Sequence, residues 1–278
     1  ESPSIWRFEF TEDPNKHIVL HEIDLMEKDN FFKSLRSDIQ STNGKKSFLF
    51  VHGYNVSFGD AAKRTAQISY DLLFDGKAVF YSWPSQASLL GYTKDEKNIE
   101  WAQDNIRNFL EDYITRSGAE EIYLVAHSMG NRGLTRAIIN LMNDRPELRT
   151  KIKEVILAAP DIDAEVFKNE IAPKMVSKVQ RPITLYVSSD DLALKASKKL
   201  HGKTRAGDSG DGVVLVDGVE TIDASGVDTS FLSHSYFADT SSIISDIFDL
   251  IKTGKRALKR ERLKLVKLEE HMYWKVKQ

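Results

Sequence analysis

Tyr123-Leu124-Val125-Ala126-His127-Ser128-Met129-Gly130 is an apolar run that passes straight into small-x-Ser-x-small, with a helix-like stretch directly behind it. A strand-to-helix turn this sharp forces its central residue into a strained backbone conformation and pushes the side chain clear of the sheet edge. The residues two before and two after must be small, because the two backbones nearly touch; here they are Ala126 and Gly130. Glycine is the usual occupant of the first position, and alanine is a mild departure that the sterics allow. A serine held this way is rarely there for packing, so Ser128 is the candidate nucleophile, with a helix predicted over 129–142.

Outward from this turn the hydrophobic period keeps alternating. Short strands are read at 5–10 and 17–21, joined by Asp13-Pro14-Asn15, and a helix at 29–40. A buried strand follows at 47–51, a helix at 58–74, and a strand at 78–83 that Pro84 stops. The stretch 96–116 reads as one long helix with Trp101, Ile106, Phe109, Leu110 and Tyr113 on a broad apolar face. After the central strand at 122–126 come strands at 152–159, 183–187 and 213–216, and a closing helix at 240–251. Near-continuous apolar strands alternating with helices predict an α/β fold: a mostly parallel central sheet with helices on both faces, in a single domain over 1–254. Only about 22 residues separate the strands ending at 159 and starting at 183, which predicts a small or absent lid.

Composition bounds the possibilities without choosing among them. The 278 residues, 41% hydrophobic and 29% charged, are those of an ordinary globular chain able to bury a sizeable core. No apolar run approaches the roughly 18 residues that cross a bilayer. With no cysteine there is no disulfide, thiolate nucleophile or cysteine-bound metal, and no indication of redox compartment. The first residue is Glu1, so a preceding segment is expected to have been removed or left out, and the compartment stays open between cytoplasmic and exported.

The net charge of −2 hides an asymmetry. From 252 to 278 there are ten Lys/Arg against three Glu, a charge of +7, which leaves the remaining body at −9. Leu258, Leu265, Leu268 and Met272 recur there at helical spacing, so 255–278 reads as a basic amphipathic C-terminal helix. Packing on the body with a solvated basic face is its plain role. Peripheral attachment to an anionic membrane and an oligomer contact are the sharper ones. No nucleic-acid motif accompanies the charge.

An activated serine needs a base within hydrogen-bond reach and an acid to orient that base, here in the chain order Ser, Asp or Glu, His. His17, His21 and His52 precede the serine, His127 is its neighbour, His201 comes before the last strand, and His271 lies in the basic tail. His234 remains, in Phe231-Leu232-Ser233-His234-Ser235-Tyr236-Phe237, after the last strand and before a helix. Two loops compete for the acid: Pro160-Asp161-Ile162-Asp163 and Ser189-Asp190-Asp191-Leu192. The later loop is favoured, with Asp191 first, Asp190 second and Asp161 third, although an Asp beside a helix start also serves as an N-cap. The strand ending Phe50-Val51-His52-Gly53-Tyr54 breaks at a glycine, so a backbone N–H, that of Tyr54, can point over the serine; Met129 supplies the second.

Other features are set aside. Asp161 and Asp163 lack a third ligand for a metal. The glycines at 207, 210 and 212 belong to no phosphate loop and read as a flexible surface loop. Trp83, Leu89, Leu90 and Tyr92 suit an acyl pocket or core packing equally.

Taken together, Phe-Val-His-Gly-Tyr-Asn-Val (50–56), Tyr-Ser-Trp-Pro-Ser (81–85), Ala-His-Ser-Met-Gly-Asn-Arg (126–132), Ala-Pro-Asp-Ile-Asp (159–163), Tyr-Val-Ser-Ser-Asp-Asp-Leu-Ala-Leu (186–194) and His-Ser-Tyr-Phe (234–237) resemble a family of poorly characterised bacterial α/β-hydrolases. The resemblance spans about residues 45–252. It implies the α/β-hydrolase fold and a serine-hydrolase site, and it favours Asp191 over Asp190 because the pattern's acid directly precedes x-Ala-Leu. The expected activity is cleavage of a small-molecule carboxylic ester through an acyl-enzyme by Ser128, Asp191 and His234, with Tyr54 and Met129 as the oxyanion hole and no cofactor or metal. Lipase, thioesterase and acyltransferase share this machinery, and an inactive binding module could share the fold.

Overall fold

The computed structural model describes residues 18–210, 212–227 and 242–277. Helix α1 (Lys28–Gln40) leads into strand β1 (Lys46–Val51), and helix α2 (Phe58–Asp71) into β2 (Lys77–Tyr81). Ser57 starts α2 with a reciprocal capping box, its hydroxyl taking the Asp60 N–H while the Asp60 carboxylate takes the Ser57 N–H. Helices α3 (Tyr92–Trp101) and α4 (Gln103–Arg116) precede β3 (Glu121–His127), and α5 (Gly130–Asp144) precedes β4 (Ile152–Ala158). Helix α6 (Ala164–Val166) runs through a π-turn into α7 (Ala172–Val179) and then β5 (Ile183–Val187). Helix α8 (Leu192–His201), β6 (Val219–Asp223), α9 (Ser242–Thr253) and the strands β7 (Leu263–Leu268) and β8 (His271–Val276) complete the path.

The eight strands form one sheet in the order β2-β1-β3-β4-β5-β6-β8-β7. Every neighbouring pair is parallel except the final β7–β8 hairpin. Because side chains alternate along a strand, each buried strand feeds two cores. Leu49, Leu124, Val155 and Leu185 face α1, α4, α5 and α7, whereas Phe48, Val125, Ile156 and Tyr186 face α2 and α9. The sheet is thus covered on both sides, which is why its strands read as continuous apolar runs. From β1 the chain winds outward to β2, then returns to place β3 on the opposite side of β1. The carboxyl ends of β1 and β3 therefore flank a topological switch point, the place where open α/β sheets form a crevice.

Several expectations change. The long helix expected over 96–116 is two helices meeting at Ala102, and Trp101, placed on the apolar face by periodicity, is 76% exposed. The strand that follows β5 is β6 at Val219–Asp223 and not 213–216, whose Val214 is buried without pairing in the sheet. Residues 18–21 form no regular strand, and the strand expected over 5–10 lies outside the described residues. The short segment between β4 and β5 forms no separate cap, in keeping with the small or absent lid expected there: Phe167, Ile171, Met175 and Val179 pack into the main core. Among the described residues no helix is long and apolar enough to cross a membrane.

The largest correction is the tail. The basic amphipathic helix expected over 255–278 is a β-hairpin, with Leu263 opposite Val276 and Leu268 opposite His271, that extends the sheet by pairing β8 with β6. Leu-Lys-Leu-Val-Lys-Leu satisfies helical and strand periods at once, and Val266, Tyr273, Trp274 and Val276 supply the β-branched and aromatic bulk that settles on a pleated surface. Part of its positive charge is spent internally. Arg260, fully buried, donates to Asp246 (2.7 Å), and the Tyr186 hydroxyl donates to the same carboxylate oxygen (2.6 Å). Arg256 reaches Glu154 (2.6 Å) and Glu220 (2.7 Å), and Lys275 reaches Asp223 (3.3 Å). The acidic body and basic tail seen in the sequence are thus partly the two halves of one ion-pair cluster.

Candidate functional site

Ser128 sits at the carboxyl end of β3 with φ +50°, a left-handed backbone that a non-glycine residue adopts only under constraint. The constraint is visible in its bonds. Its N–H donates to Ala158 O (3.0 Å), and its carbonyl accepts from the Asn131 side chain (2.9 Å) and from the Asp161 N–H (3.3 Å). Asn131, fully buried, also donates to Ala158 O (3.1 Å), so the turn is bolted to the end of β4. At Gly130 a Cβ would overlap the His52 carbonyl oxygen and lie 2.6 Å from that of Val51. That is the physical content of the small residue two positions after the serine. Two positions before it, Ala126 is fully buried with its methyl accommodated.

The loop leaving β1 lies directly on this turn. A Cβ at Gly53 would fall 2.9 Å from Ser128 Cβ. His52 is buried; its Nδ1 pairs with the Gly53 carbonyl (2.8 Å), its Nε2 with the Ser82 hydroxyl (3.2 Å), and its ring stacks on Trp83 at 5.1 Å. Burial lowers the His52 pKa to about 4, so the ring is neutral at pH 7 and serves as scaffold. Trp83 Nε1–H donates to His52 O (2.7 Å), which places Trp83 in the core and not on a substrate surface. The N–H groups following Tyr54 are tied down, Asn55 to Asp95 (3.4 Å) and Val56 to Ser85 Oγ (3.3 Å). Asp95, wholly buried, also takes the Ser85 hydroxyl and the Gln86 N–H, both at 2.7 Å, and so joins the loops after β1 and β2. No local pattern marks Asp95 in the sequence; its partners lie up to 40 residues away. Met129 stands at the N-cap of α5, where backbone N–H groups have no partner inside the helix and the helix dipole favours negative charge.

The Tyr54 hydroxyl donates to Leu89 O (2.7 Å), and its ring meets Tyr92 edge-on at 5.2 Å. Leu89 and Leu90 project from this tethered turn, 75% and 96% exposed. Of the four residues considered for an apolar lining, these two are therefore surface, Trp83 is core, and Tyr92 is part of a polar cluster.

The two candidate acids after β5 differ in environment. Asp191 caps α8, taking the Leu194 N–H at 3.0 Å. Burial raises its carboxyl pKa against the lowering effect of the Leu194 and Ala193 N–H groups, with the Asp161 and Asp208 carboxylates adding to the rise. Asp190 is exposed and accepts the Gly226 N–H (2.7 Å), linking the loops after β5 and β6. Asp161 is 2% exposed and both of its carboxylate oxygens are taken, by the Tyr92 hydroxyl (2.5 Å) and the Ser197 hydroxyl (2.6 Å). The Arg205 and Arg132 guanidinium groups also lie near these oxygens, at 3.3 and 3.5 Å. His234 lies outside the described residues, in the stretch that joins β6 to α9. The structure thus brings Ser128, Met129 and the Gly53-Tyr54 loop together at the switch point and sets Asp191 two strands away at the same sheet edge. Arg205, Ala206, Gly207 and Asp208, expected in a flexible surface loop, are buried; a Cβ on Gly207 would run into the Ala159-Pro160 backbone. Among the described residues no group of three or more His, Asp or Glu could hold a metal ion.

A family model described as alpha/beta hydrolase of unknown function (DUF900) matches residues 27–253. Among solved structures the chain is similar to a predicted CIB-like hydrolase from Thermoplasma acidophilum, at 16% identity over 76% of this chain and 87% of that one, TM-score 0.44. It is similar to an uncharacterised protein from Bacillus cereus, at 13% identity over 85% and 64%, TM-score 0.48. Est1E from Butyrivibrio proteoclasticus is similar at 13% identity over 74% and 85%, TM-score 0.41. No curated protein matches the sequence.

Proposed function

The chain belongs to the alpha/beta hydrolase family of unknown function (DUF900), and we propose that it hydrolyses carboxylic esters through an acyl-enzyme on Ser128. The observation that carries this reading is the left-handed Ser128 at a strand-to-helix turn, with the Gly53-Tyr54 loop held against it. Strain of this kind costs roughly 1–3 kcal/mol and is kept where it aims a reacting group. His234, oriented by Asp191, takes the Ser128 proton as Oγ attacks the ester carbonyl carbon. The N–H groups of Met129 and Tyr54 hold the resulting oxyanion. His234 then gives the proton to the leaving alcohol, and water, deprotonated by the same histidine, releases the acid. Leu89 and Leu90, tethered to Tyr54, offer apolar surface to the acyl portion of a substrate.

A fluorophosphonate probe tests the reading: covalent labelling at Ser128 is expected, and a folded protein that stays unlabelled overturns it. The acid is tested by comparing two variants on a p-nitrophenyl ester. Asp191→Asn is expected to lower kcat about 10³- to 10⁴-fold by losing the orientation of the imidazole. Asp190→Asn, altering an exposed loop contact, should stay within about threefold, since surface changes of this kind are worth about 0.5 kcal/mol. The reverse ranking would transfer the role to Asp190.

A further inference from the structure

Resting on the serine-esterase reading, we propose that Asp161 is a positioning residue, a single buried carboxylate that sets the nucleophile turn, the oxyanion loop and the helix carrying Asp191 in register.

Its contacts reach all three. The Asp161 N–H donates to Ser128 O (3.3 Å), and its own carbonyl accepts Nε–H of Arg132 (2.5 Å), a residue in the first turn of α5 just beyond the nucleophile. Its Oδ1 takes the hydroxyl of Ser197 (2.6 Å), on the α8 helix that Asp191 caps, and lies 3.3 Å from Arg205 Nε. Its Oδ2 takes the hydroxyl of Tyr92 (2.5 Å) and lies 3.5 Å from Arg132 Nη2. Tyr92 in turn packs its ring on Tyr54 of the oxyanion loop and follows closely the Leu89 carbonyl that anchors the Tyr54 hydroxyl. A second tie closes the circuit: Arg132 pairs with Glu96 of α3 (2.7 Å), and Glu96 with His201 at the far end of α8 (2.9 Å).

The chemistry of this cluster is that of a fastener. Each carboxylate oxygen accepts a hydroxyl and faces a guanidinium group, and with Glu96 the two arginines are matched by two carboxylates, so the polar groups of Asp161 are engaged within the cluster. Charge-assisted bonds to a buried carboxylate are the strong members of their class and direct their donors closely. The segments they join depart from β2, β3, β4 and β5, whose mutual spacing is already set by the sheet; the cluster fixes what the sheet does not, the positions of the loops above it. Catalysis is sensitive at this scale, since about 1 Å of misplacement can cost roughly a hundredfold.

Two variants keep the carboxylate and both arginines: Tyr92→Phe and Ser197→Ala each delete one spoke, while Asp161→Asn deletes the hub. Hydrogen exchange reads the coupling without any substrate. In Tyr92→Phe, amides of the nucleophile turn (128–132) and of the start of α8 (192–196) are both expected to exchange faster than in the parent, though neither touches residue 92 through its backbone. Faster exchange confined to 88–96 would overturn the proposal. Turnover is read per serine titrated with the fluorophosphonate, which removes any loss of folded protein. Each spoke variant is expected to lose about tenfold in kcat with KM within twofold, and Asp161→Asn about a hundredfold. Per-site kcat equal to the parent's in both spoke variants would overturn the proposal. Absence of labelling in the parent would instead overturn the esterase reading and leave the exchange result to decide the coupling.

Discussion

Ser128→Ala is expected to lower ester hydrolysis by about 10⁶-fold, to the level that binding and the oxyanion donors alone sustain. The loss should fall on kcat, because the hydroxyl forms a bond only during reaction. Folding should be unaffected: the bonds that build the turn run through the Ser128 backbone and Asn131, which the substitution leaves in place. A companion variant separates the strained backbone from the chemistry. Ser128→Gly removes the same hydroxyl and also the Cβ that makes φ +50° unfavourable, so it should be as inactive as Ser128→Ala yet about 1 kcal/mol more stable by thermal or denaturant unfolding. Residual turnover within tenfold of the parent in Ser128→Ala would place the nucleophile elsewhere.

Gly130→Ala is expected to damage activity and stability together, by a different route. On an exposed helix this change is mildly favourable, worth up to about 1 kcal/mol. Here the added methyl meets the His52 and Val51 carbonyl oxygens, which are backbone and cannot turn aside. Either α5 or the end of β1 must move, and both carry the proposed oxyanion donors. Overpacking of this kind costs roughly 1–3 kcal/mol, and displacing the donors should reduce kcat/KM by about a hundredfold. Unfolding midpoint and kcat/KM measured on one preparation check both effects. A variant with parental kcat/KM would show that the two donors do not flank this contact.

Much of the fold was legible because the sheet is covered on both faces. Strands such as Phe48-Leu49-Phe50-Val51 and Ile122-Tyr123-Leu124-Val125 must be apolar at every position, and runs this short, closed by a turn or a glycine, read as buried strands by their length. The turn at Ser128 was legible for a steric reason, since the small residues around it answer to contacts within a few residues and with one neighbouring strand. The tail was not. Leu-Lys-Leu-Val-Lys-Leu fits both periods, and the choice of strand depended on β6 offering an open edge and on Glu154, Glu220 and Asp246 waiting for Arg256 and Arg260. The burial of 205–208 was hidden likewise, because Gly and Asp in a loop look the same whether they face water or the Ala159-Pro160 backbone.

By itself the sequence determined the layered α/β architecture, the strained serine and the glycine that lets helix and strand meet behind it, because these are set by local sterics and by the burial of alternating side chains. Only the tertiary structure decided that Asp161 is buried among Tyr92, Ser197, Arg132 and Arg205, that Asp95 joins two loops, and that the basic tail is an edge hairpin. Tyr92, Arg132, Ser197 and Arg205 are scattered over more than a hundred residues, and no local preference links them. Their convergence on one carboxylate is a product of strand order, which places the loops after four different strands at one edge of the sheet.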